Sequence, residues 1–175
     1  MLRHIFPTVA LVVVLVLPAV TPADLTPATS RKTAPDFTLT DAKGRPVKLS
    51  AYKGRVVLLD FWATWCTGCK VEIPWYMEFQ STYKKSGLSA LGVSMDDDGW
   101  KSVKPFLQQH KINYPIVIGN SEMGDRFGFN SMPATLLIDR NGKIADLHVG
   151  MVDKDAFESE IQILLKESAS NKAVE

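Results

Sequence analysis

The sequence contains two cysteines, Cys66 and Cys69, with Thr67 and Gly68 between them. A disulfide across so short a loop constrains the unfolded chain very little, so a purely structural bridge explains the pair poorly. Two thiols at this spacing can instead perform thiol–disulfide exchange, in which one thiolate attacks a disulfide and the second thiol displaces the product. The spacing therefore predicts a redox-active dithiol.

The surrounding sequence predicts which of the two thiols attacks. The apolar run at 55–62 indicates a strand buried on both faces, and the apolar positions within 69–85 indicate a helix that opens near Cys66. Free backbone N–H groups at a helix N-terminus stabilise an anion. The pKa of a cysteine there falls from about 8.5 to roughly 3.5–7.5. We expect Cys66 to be the nucleophile and Cys69 to be the more buried and less acidic resolving thiol.

As an alternative to a redox role, the two cysteines could supply half of the ligands of a structural zinc site. That site would need two further ligands, and the chain offers only His4, His110 and His148. There is no second cysteine pair at this spacing. Thiol–disulfide exchange requires neither a metal nor an organic cofactor, and we expect none.

Two acidic residues lie close to the cysteines in sequence. Asp60 falls in the apolar run, where burial should raise its pKa and allow proton exchange near neutral pH. The alternative is a strand-end aspartate that only caps the following turn. Glu72, three residues after Cys69, shares a helix face with it, although a lone helical glutamate is more often a solvated surface residue.

Length and charge limit the classes of protein to consider. The 175 residues suffice for one domain with a full core. With 20 basic and 19 acidic residues and no basic stripe, we expect no nucleic-acid partner.

Periodicity and turn residues predict the elements that follow the first helix. They are a strand at 88–95, a helix at 99–111, a strand at 114–118, a short helix at 121–127, a hairpin at 135–149 closed by Asn141 and Gly142, and a helix at 153–167.

The ends of the chain differ in composition from its middle. Arg3 precedes an apolar run, the layout of a signal sequence or an N-terminal membrane anchor, so we expect a periplasmic or extracytoplasmic protein. A Pro-, Thr- and Ala-rich stretch follows, and turn residues at 41–44 predict a small hairpin. The expected organisation is a signal or anchor at 1–23, a flexible linker at 24–33, a folded domain at 34–168 and a frayed tail at 169–175.

The cysteine motif and two other motifs resemble those of a known superfamily. Residues 60–70, DFWATWCTGCK, resemble the active-site stretch of thioredoxins, and Pro74 matches the proline that kinks their helix. Met132 and Pro133 resemble the cis-proline loop that faces the redox pair. The resemblance implies an α/β thioredoxin fold with a central mixed β-sheet flanked by helices and an extra N-terminal β-hairpin.

Three further features are more similar to the TlpA/ResA-type branch of that superfamily. They are the leader, the opening Ala-Pro-Asp-Phe at 34–37 and the segment inserted at 95–112. Proteins of this branch are membrane-linked or periplasmic reductases, often tied to cytochrome c maturation. This resemblance implies reduction of disulfide-containing extracytoplasmic proteins, with apocytochrome c as a candidate, by a monomer that receives electrons from a membrane thiol donor.

The resemblance also assigns roles to individual residues. Asp60 matches the buried acid that assists the second thiol in thioredoxins, and Glu72 matches a glutamate near the active site of ResA-like proteins. Pro133, if cis, would leave the Met132 backbone free to pair with an extended substrate peptide. Trp65 is expected to form a wall beside the cysteines together with Trp62, for which core packing is the alternative. The implied substrate-binding residues are Trp65, Thr67, Gly68, Met132 and Pro133.

Two other functions stay open at this point. A peroxiredoxin-like thiol peroxidase is suggested by the shared opening at 34–39, although the chain lacks the proline expected before a lone peroxidatic cysteine. A disulfide-forming oxidant is the other, although no histidine between the cysteines stabilises the thiolate. Thr67 and Gly68 replace the Gly-Pro of many thioredoxins, so the direction of electron flow does not follow from the resemblance.

Overall fold

A five-stranded mixed sheet lies at the centre of the protein, which we describe from a computed structural model covering residues 25–168. The expected signal or anchor at 1–23 and the expected frayed tail at 169–175 lie outside the described residues. Within 25–168, no helix combines the length and the apolar character needed to cross a membrane.

Seven strands and four α-helices follow one another along residues 25–168. The strands are β1 (Thr38–Thr40), β2 (Pro46–Lys48), β3 (Val56–Trp62), β4 (Leu88–Ser94), β5 (Ile116–Ile118), β6 (Ala134–Ile138) and β7 (Ile144–Val149). The helices are α1 (Thr67–Tyr83), α2 (Trp100–His110), α3 (Glu122–Phe127) and α4 (Lys154–Lys166), with a 3-10 helix at Leu49–Tyr52. Most bounds fall within one or two residues of those expected from the sequence.

The sheet has the order β5-β4-β3-β6-β7, with β3, β4 and β5 parallel and β6 and β7 antiparallel. β1 and β2 form a separate antiparallel hairpin. All seven residues of β3 are buried, as expected for a central strand with cores on both faces. The predicted α/β fold, with its mixed central sheet and extra N-terminal hairpin, is therefore confirmed.

β3 separates two hydrophobic cores because its side chains alternate between the faces of the sheet. Val56, Leu58 and Trp62 face the core that contains residues of α1, α2 and α4. Val57 and Leu59 face the second core, with the N-terminal hairpin and α3. The alternation places Asp60 on the α1 and α4 side, beneath the helix that begins at the cysteines.

The stretch before the domain differs from the flexible linker expected at 24–33. Its residues pair with the β6–β7 hairpin, through Thr26 N–H to Ala145 O at 2.9 Å and a bridge between Thr33 and Lys143. The Arg31 side chain is 2% exposed and binds Asp139 at 3.1 Å and Glu167 at 2.6 Å. The expectation is wrong for 25–33, because a buried ion pair fixes a segment whose composition alone suggests a spacer.

Candidate active site

Cys66 lies between the central strand β3 and helix α1. β3 ends at Trp62, the Cys66 N–H donates to Ala63 O at 3.1 Å, and Cys66 is the N-cap residue of the helix. Its Sγ accepts a hydrogen bond from the Cys69 N–H at 3.2 Å. A free helical N–H and the helix dipole therefore both point at this sulfur, and they stabilise negative charge on it.

The two cysteines are joined in a disulfide and differ in exposure. Cys66 is 6% exposed and Cys69 is 1% exposed, so the sulfur at the helix start is the one nearer to solvent. Attack on an external disulfide requires access. The difference matches the expected order, in which Cys66 reacts with the substrate and Cys69 acts from inside.

Asp96 fixes the turn that carries the cysteines, a contact that the sequence analysis missed. This buried carboxylate follows β4 and accepts hydrogen bonds from the Thr64 N–H and hydroxyl and from the Ser94 hydroxyl. Thr64 lies two residues before Cys66. The end of β4 thereby positions the turn between β3 and α1, and only the three-dimensional pairing of these strands reveals it.

The residues expected to bind substrate lie near the start of α1 and in the loop before β6. Trp65 is 65% exposed, Thr67 is exposed, and the Met132–Pro133 peptide bond is cis. A methyl group at Gly68 would lie 3.1 Å from Pro133 Cδ. The start of α1 and the proline loop are therefore in close contact beside the redox pair.

A groove of about 520 Å³ adjoins this surface. It is bounded by Trp65 and Met132, together with Met95 and Phe129 and polar residues of the α3 region. Its walls combine apolar side chains with polar groups, a lining suited to an extended peptide segment.

Trp62, expected to form a wall beside the cysteines together with Trp65, is instead fully buried. It packs on Phe106 with 5.0 Å between ring centroids. Core packing is therefore its role.

Asp60 is buried beneath α1, with 1% of its surface exposed. Burial raises the pKa of Asp60 well above its usual value, and the negative charge of Glu72 raises it further. The Tyr114 hydroxyl, which donates to Asp60 Oδ2 at 3.5 Å, acts in the opposite direction. The turn-capping alternative fails, because no backbone N–H within residues 25–168 donates to this carboxyl group.

Glu72 is also fully buried, which overturns the alternative of a solvated surface glutamate. Its Oε1 accepts a hydrogen bond from the Val152 N–H at 2.7 Å, while its Oε2 has no partner among the described residues. Burial raises the pKa of Glu72, and the hydrogen bond from the Val152 N–H opposes that shift. The structure thus brings both expected acids into the core below the cysteines.

Tyr76 and Thr135 join the helix that carries Glu72 to the sheet that carries Asp60, and the sequence analysis missed them. The Tyr76 and Thr135 hydroxyls lie 2.9 Å apart, and Thr135 is the direct neighbour of Asp60 across the β3–β6 pair. Tyr76 is one helical turn beyond Glu72, a spacing that places both on one face of α1. That spacing was the available signal for Tyr76. For Thr135, the only sequence signal was that it is a polar residue in an apolar strand.

The histidines do not complete a metal site with the cysteines. His148 bonds to Asp146 and Glu160, and His110 stacks on Phe106 at 4.1 Å between ring centroids. His4 lies outside the described residues. The zinc-site alternative therefore has no support from residues 25–168, in which the two cysteines bond to each other.

Comparisons with known proteins identify the family of this chain. The AhpC/TSA family matches residues 31–147. The thiol-disulfide oxidoreductase ResA of Geobacillus kaustophilus (strain HTA426) is 37% identical over 131 residues, which cover 74% of this chain and 75% of that protein.

Solved structures of thiol–disulfide proteins also resemble this chain. A protein assigned as the thiol:disulfide interchange protein DsbE of Chlorobium tepidum aligns with a TM-score of 0.73 and 37% identity, over 77% of this chain and 96% of that one. The pneumococcal exposed lipoprotein thioredoxin Etrx1 of Streptococcus pneumoniae strain TIGR4 aligns with a TM-score of 0.66 and 28% identity, over 74% and 100%. The predicted resemblance to ResA-like proteins is thereby confirmed. With its cysteine pair set at the start of α1 in a thioredoxin-like fold, the chain belongs to the AhpC/TSA family and is a thiol–disulfide oxidoreductase.

Proposed function

We propose that this enzyme reduces disulfide bonds of proteins outside the cytoplasm, with Cys66 as the nucleophile and Cys69 as the resolving thiol. One observation carries the proposal: the more exposed sulfur lies at a helix N-terminus, whereas the inner sulfur lies above two buried acids, Asp60 and Glu72. An accessible stabilised thiolate with a buried proton acceptor behind it is the arrangement that two-step disulfide reduction requires.

The first step uses the reduced form of the enzyme. The Cys66 thiolate attacks one sulfur of the client disulfide, so a bond forms between Cys66 and the client while the client S–S bond breaks. The other client sulfur leaves as a thiolate and takes a proton from solvent. Trp65 and the Met132–Pro133 loop border the reacting sulfur and would hold the client segment against it.

The second step releases the reduced client. The Cys69 thiol loses its proton to Asp60 and attacks Cys66 Sγ, which forms the Cys66–Cys69 disulfide and expels the client thiolate. The client gains the two electrons that the dithiol loses. Asp60 suits the proton transfer because burial raises its pKa, which makes its carboxylate a stronger base. Reduction by a membrane thiol donor would return the enzyme to its starting state.

The extracytoplasmic setting rests on the sequence at 1–23 and on the relatives. The apolar run behind Arg3 has the layout of a signal or anchor, and the similar Etrx1 is described as an exposed lipoprotein. Disulfides persist in such oxidising compartments, so a reductant there would serve particular clients. Apocytochrome c is the candidate client that the resemblance to the TlpA/ResA-type branch implies, and we propose that the enzyme acts as a monomer.

The reduction potential of the Cys66–Cys69 pair tests the direction of electron flow. We would equilibrate the enzyme, from residue 25 onward, with thiol–disulfide buffers of known potential. A value near or below that of thioredoxin, about −270 mV, would support the reductase. A value near that of DsbA, about −120 mV, would identify a disulfide-forming oxidant and overturn the proposed direction.

Cysteine variants test the assigned roles. Cys66→Ser should lose all reduction of a protein disulfide, whereas Cys69→Ser should accumulate a mixed disulfide with the client, because the resolving thiol is absent. Mass spectrometry of the trapped species measures the difference. Full turnover by Cys69→Ser would show that the resolving role is wrong.

A thiol peroxidase is the second candidate function, favoured by the AhpC/TSA match. It predicts that hydrogen peroxide oxidises Cys66 to a sulfenic acid faster than a protein disulfide reacts with the dithiol. Competition between peroxide and a disulfide client, followed by mass spectrometry of Cys69→Ser, separates the two functions. We expect the mixed disulfide to predominate.

A further inference from the structure

Three loops meet at the end of the sheet where β3 begins, the end opposite to the cysteines. The strand register shows this arrangement. Val56 and Leu88, the first residues of β3 and β4, are direct neighbours, and Val57 is paired with Ile138, the last residue of β6. The loops before β3 and before β4 and the β6–β7 turn therefore lie side by side.

Two further segments reach the same end. The Arg140 guanidinium in the β6–β7 turn donates to Leu165 O near the end of α4 at 3.0 Å. The Ile144 N–H at the start of β7 donates to Lys32 O at 2.8 Å, which brings in the segment at 25–33. One surface is thus built from five segments: 25–33, 49–55, 84–87, 139–143 and 165–168.

These five segments carry an excess of basic residues. Their two carboxylates, Asp139 and Glu167, both bind Arg31. Their lysines take part in none of the ion pairs formed among residues 25–168. We call the surface that these lysines form the basic end: Lys32, Lys53, Lys84, Lys85 and Lys166, which are exposed, and Lys143, which is half-buried.

The basic end differs in charge from the rest of the chain. The formal net charge of all 175 residues is only +1, so the remaining residues together carry an excess of acids. At the opposite end of the sheet, β4 is followed by the acidic run Asp96, Asp97 and Asp98. A charge distribution of this kind attracts an anionic partner to one end of the molecule.

Two arginines at this end bind backbone carbonyl groups. Arg140 donates to Gly54 O at 3.0 Å and to Ser86 O at 3.1 Å, and Arg55 donates to Lys84 O at 2.8 Å. Both guanidinium groups add positive charge, but their N–H groups already hold the loops together. A ligand therefore meets lysine ammonium groups, which are point charges on flexible stems, and not a rigid bidentate site for one phosphate.

Such an arrangement suits a fluid anionic surface. Lipid headgroups can move to meet lysines that lie on separate loops, and each lysine near the bilayer adds to the attraction. The position of the N-terminal segment favours the same partner. The apolar run behind Arg3, which has the layout of a signal or anchor, leads in sequence into 25–33 at this end.

We propose that the basic end binds the anionic phospholipid headgroups of a membrane surface. The contact is electrostatic, it involves no covalent step, and it is separate from the redox site. It therefore does not depend on whether the enzyme reduces or oxidises its clients.

Vesicle sedimentation tests the inference, with the protein from residue 25 onward. This part keeps both hydrophobic cores and every strand and helix of the fold, and it lacks the expected anchor. Vesicles of equal parts phosphatidylglycerol and phosphatidylcholine should bind the protein, whereas vesicles of phosphatidylcholine alone should not. Binding should be lost in 1 M salt, where the screening length falls to about 3 Å from about 10 Å at 0.1 M.

Lysine variants show whether the basic end is responsible. Each lysine near an anionic membrane strengthens partitioning about fivefold, so Lys84→Gln with Lys85→Gln should bind roughly 25-fold more weakly. Lys84→Arg with Lys85→Arg keeps both charges and should bind like the wild type. The matched control is Lys101→Gln with Lys104→Gln, which removes two exposed lysines from the start of α2 and should bind nearly as well as the wild type. Circular dichroism checks that every variant is folded.

Three results would overturn the inference. The first is equal binding to the two kinds of vesicle, or binding to neither. The second is an equal loss in the two glutamine pairs, which would mean that net charge alone governs binding. The third is tighter binding to soluble polyglutamate than to the anionic vesicles, which would identify an acidic protein as the partner. No thiol reacts in this assay, so a wrong direction of electron flow would leave its result unchanged.

Discussion

Asp60 places a carboxyl group within β3, a strand whose seven residues are all buried. Burial raises its pKa, so between the usual value of 3.8 and the raised value the folded protein holds a proton that the unfolded chain has lost. Stability therefore falls as pH rises through that window. The residue that serves the chemistry weakens the fold at neutral pH.

Asp60→Asn should therefore stabilise the protein at pH 7 while it slows resolution of the mixed disulfide. The amide has nearly the same shape and never carries the buried charge, so we expect a rise in Tm of a few degrees, at roughly 2–4 °C per kcal/mol. Thermal unfolding monitored by circular dichroism at pH 4 and pH 7 measures the gain, which should be smaller at pH 4. A lower Tm at pH 7 would contradict this account.

His148 should add a second decline of stability with rising pH, at higher pH than that of Asp60. Its pKa is raised from 6.5 to about 10 in the folded protein, so its ion pairs contribute fully below about pH 6.5. That contribution is lost as pH rises toward about 10, because the unfolded chain releases the proton first. Urea unfolding between pH 6 and pH 10 should show this decline in the wild type. In His148→Gln the free energy of unfolding should decline less over this pH range. An equally steep decline in that variant would show that His148 is not the cause.

Residue types and spacing predicted part of the site. The cysteine pair and the buried Asp60 could be read from the sequence, because each is an unusual residue in a strongly patterned segment. Burial of Glu72 could not be read, since its cover includes Val152, 80 residues later in the chain. The alignment of Thr135 and His148 with Asp60 depends on strand register, which the local sequence pattern does not predict.

At the scale of elements, three segments converge on Gly68. A methyl group there would lie 3.1 Å from Pro133 Cδ before β6 and 3.1 Å from Met151 Cγ in the β7–α4 loop. The Val152 N–H in that loop also bonds to Glu72 of α1. The start of α1, the proline loop and the β7–α4 loop are thus packed at ordinary contact distance only because position 68 has no side chain.

Gly68→Ala should separate these segments slightly. Alanine favours the helix by about 0.5–1 kcal/mol, which offsets the crowding, so the free energy of unfolding should change little. The displaced proline loop should raise the KM for a protein disulfide several-fold. Steady-state reduction kinetics measure this, with Ser81→Ala on the exposed part of α1 as the control. An unchanged KM would show that the loop absorbs the methyl group without moving the client surface.

Elements with strong local signals were predicted well. The β6–β7 hairpin closes at Asn141 and Gly142, with a positive φ of 76° at the glycine, as the Asn-Gly pair indicates. β5 is shorter than expected and begins at Ile116, because Pro115 lacks the N–H that would extend the ladder. The docked segment at 25–33 was missed because the partners of Arg31 are 108 and 136 residues away.

At the scale of the whole molecule, Arg31 joins the two ends of the described chain. Its guanidinium binds Asp139 after β6 and Glu167 just beyond α4. Removal of one partner from a buried ion pair leaves the other charge uncompensated. The segment before the domain is therefore part of the folded unit.

Arg31→Ala should lower the free energy of unfolding by about 2–4 kcal/mol. The lower end applies if the Asp139 carboxylate, which also accepts from the Asn141 and Lys143 N–H groups, remains well satisfied. Chemical denaturation measures the loss, and the adjacent Lys32→Ala is the control. Equal losses in both variants would mean that the ion pairs contribute nothing specific.

The docking of 25–33 also sets how the enzyme is presented to its surroundings. The segment lies along the β6–β7 hairpin, next to the start of β3, whereas Cys66 follows the far end of that strand. Seven strand residues at about 3.3 Å each separate the two ends by roughly 23 Å. A chain tethered through its N-terminus would therefore project its sulfurs outward, away from the point of attachment, and would meet approaching proteins with the reactive tip first.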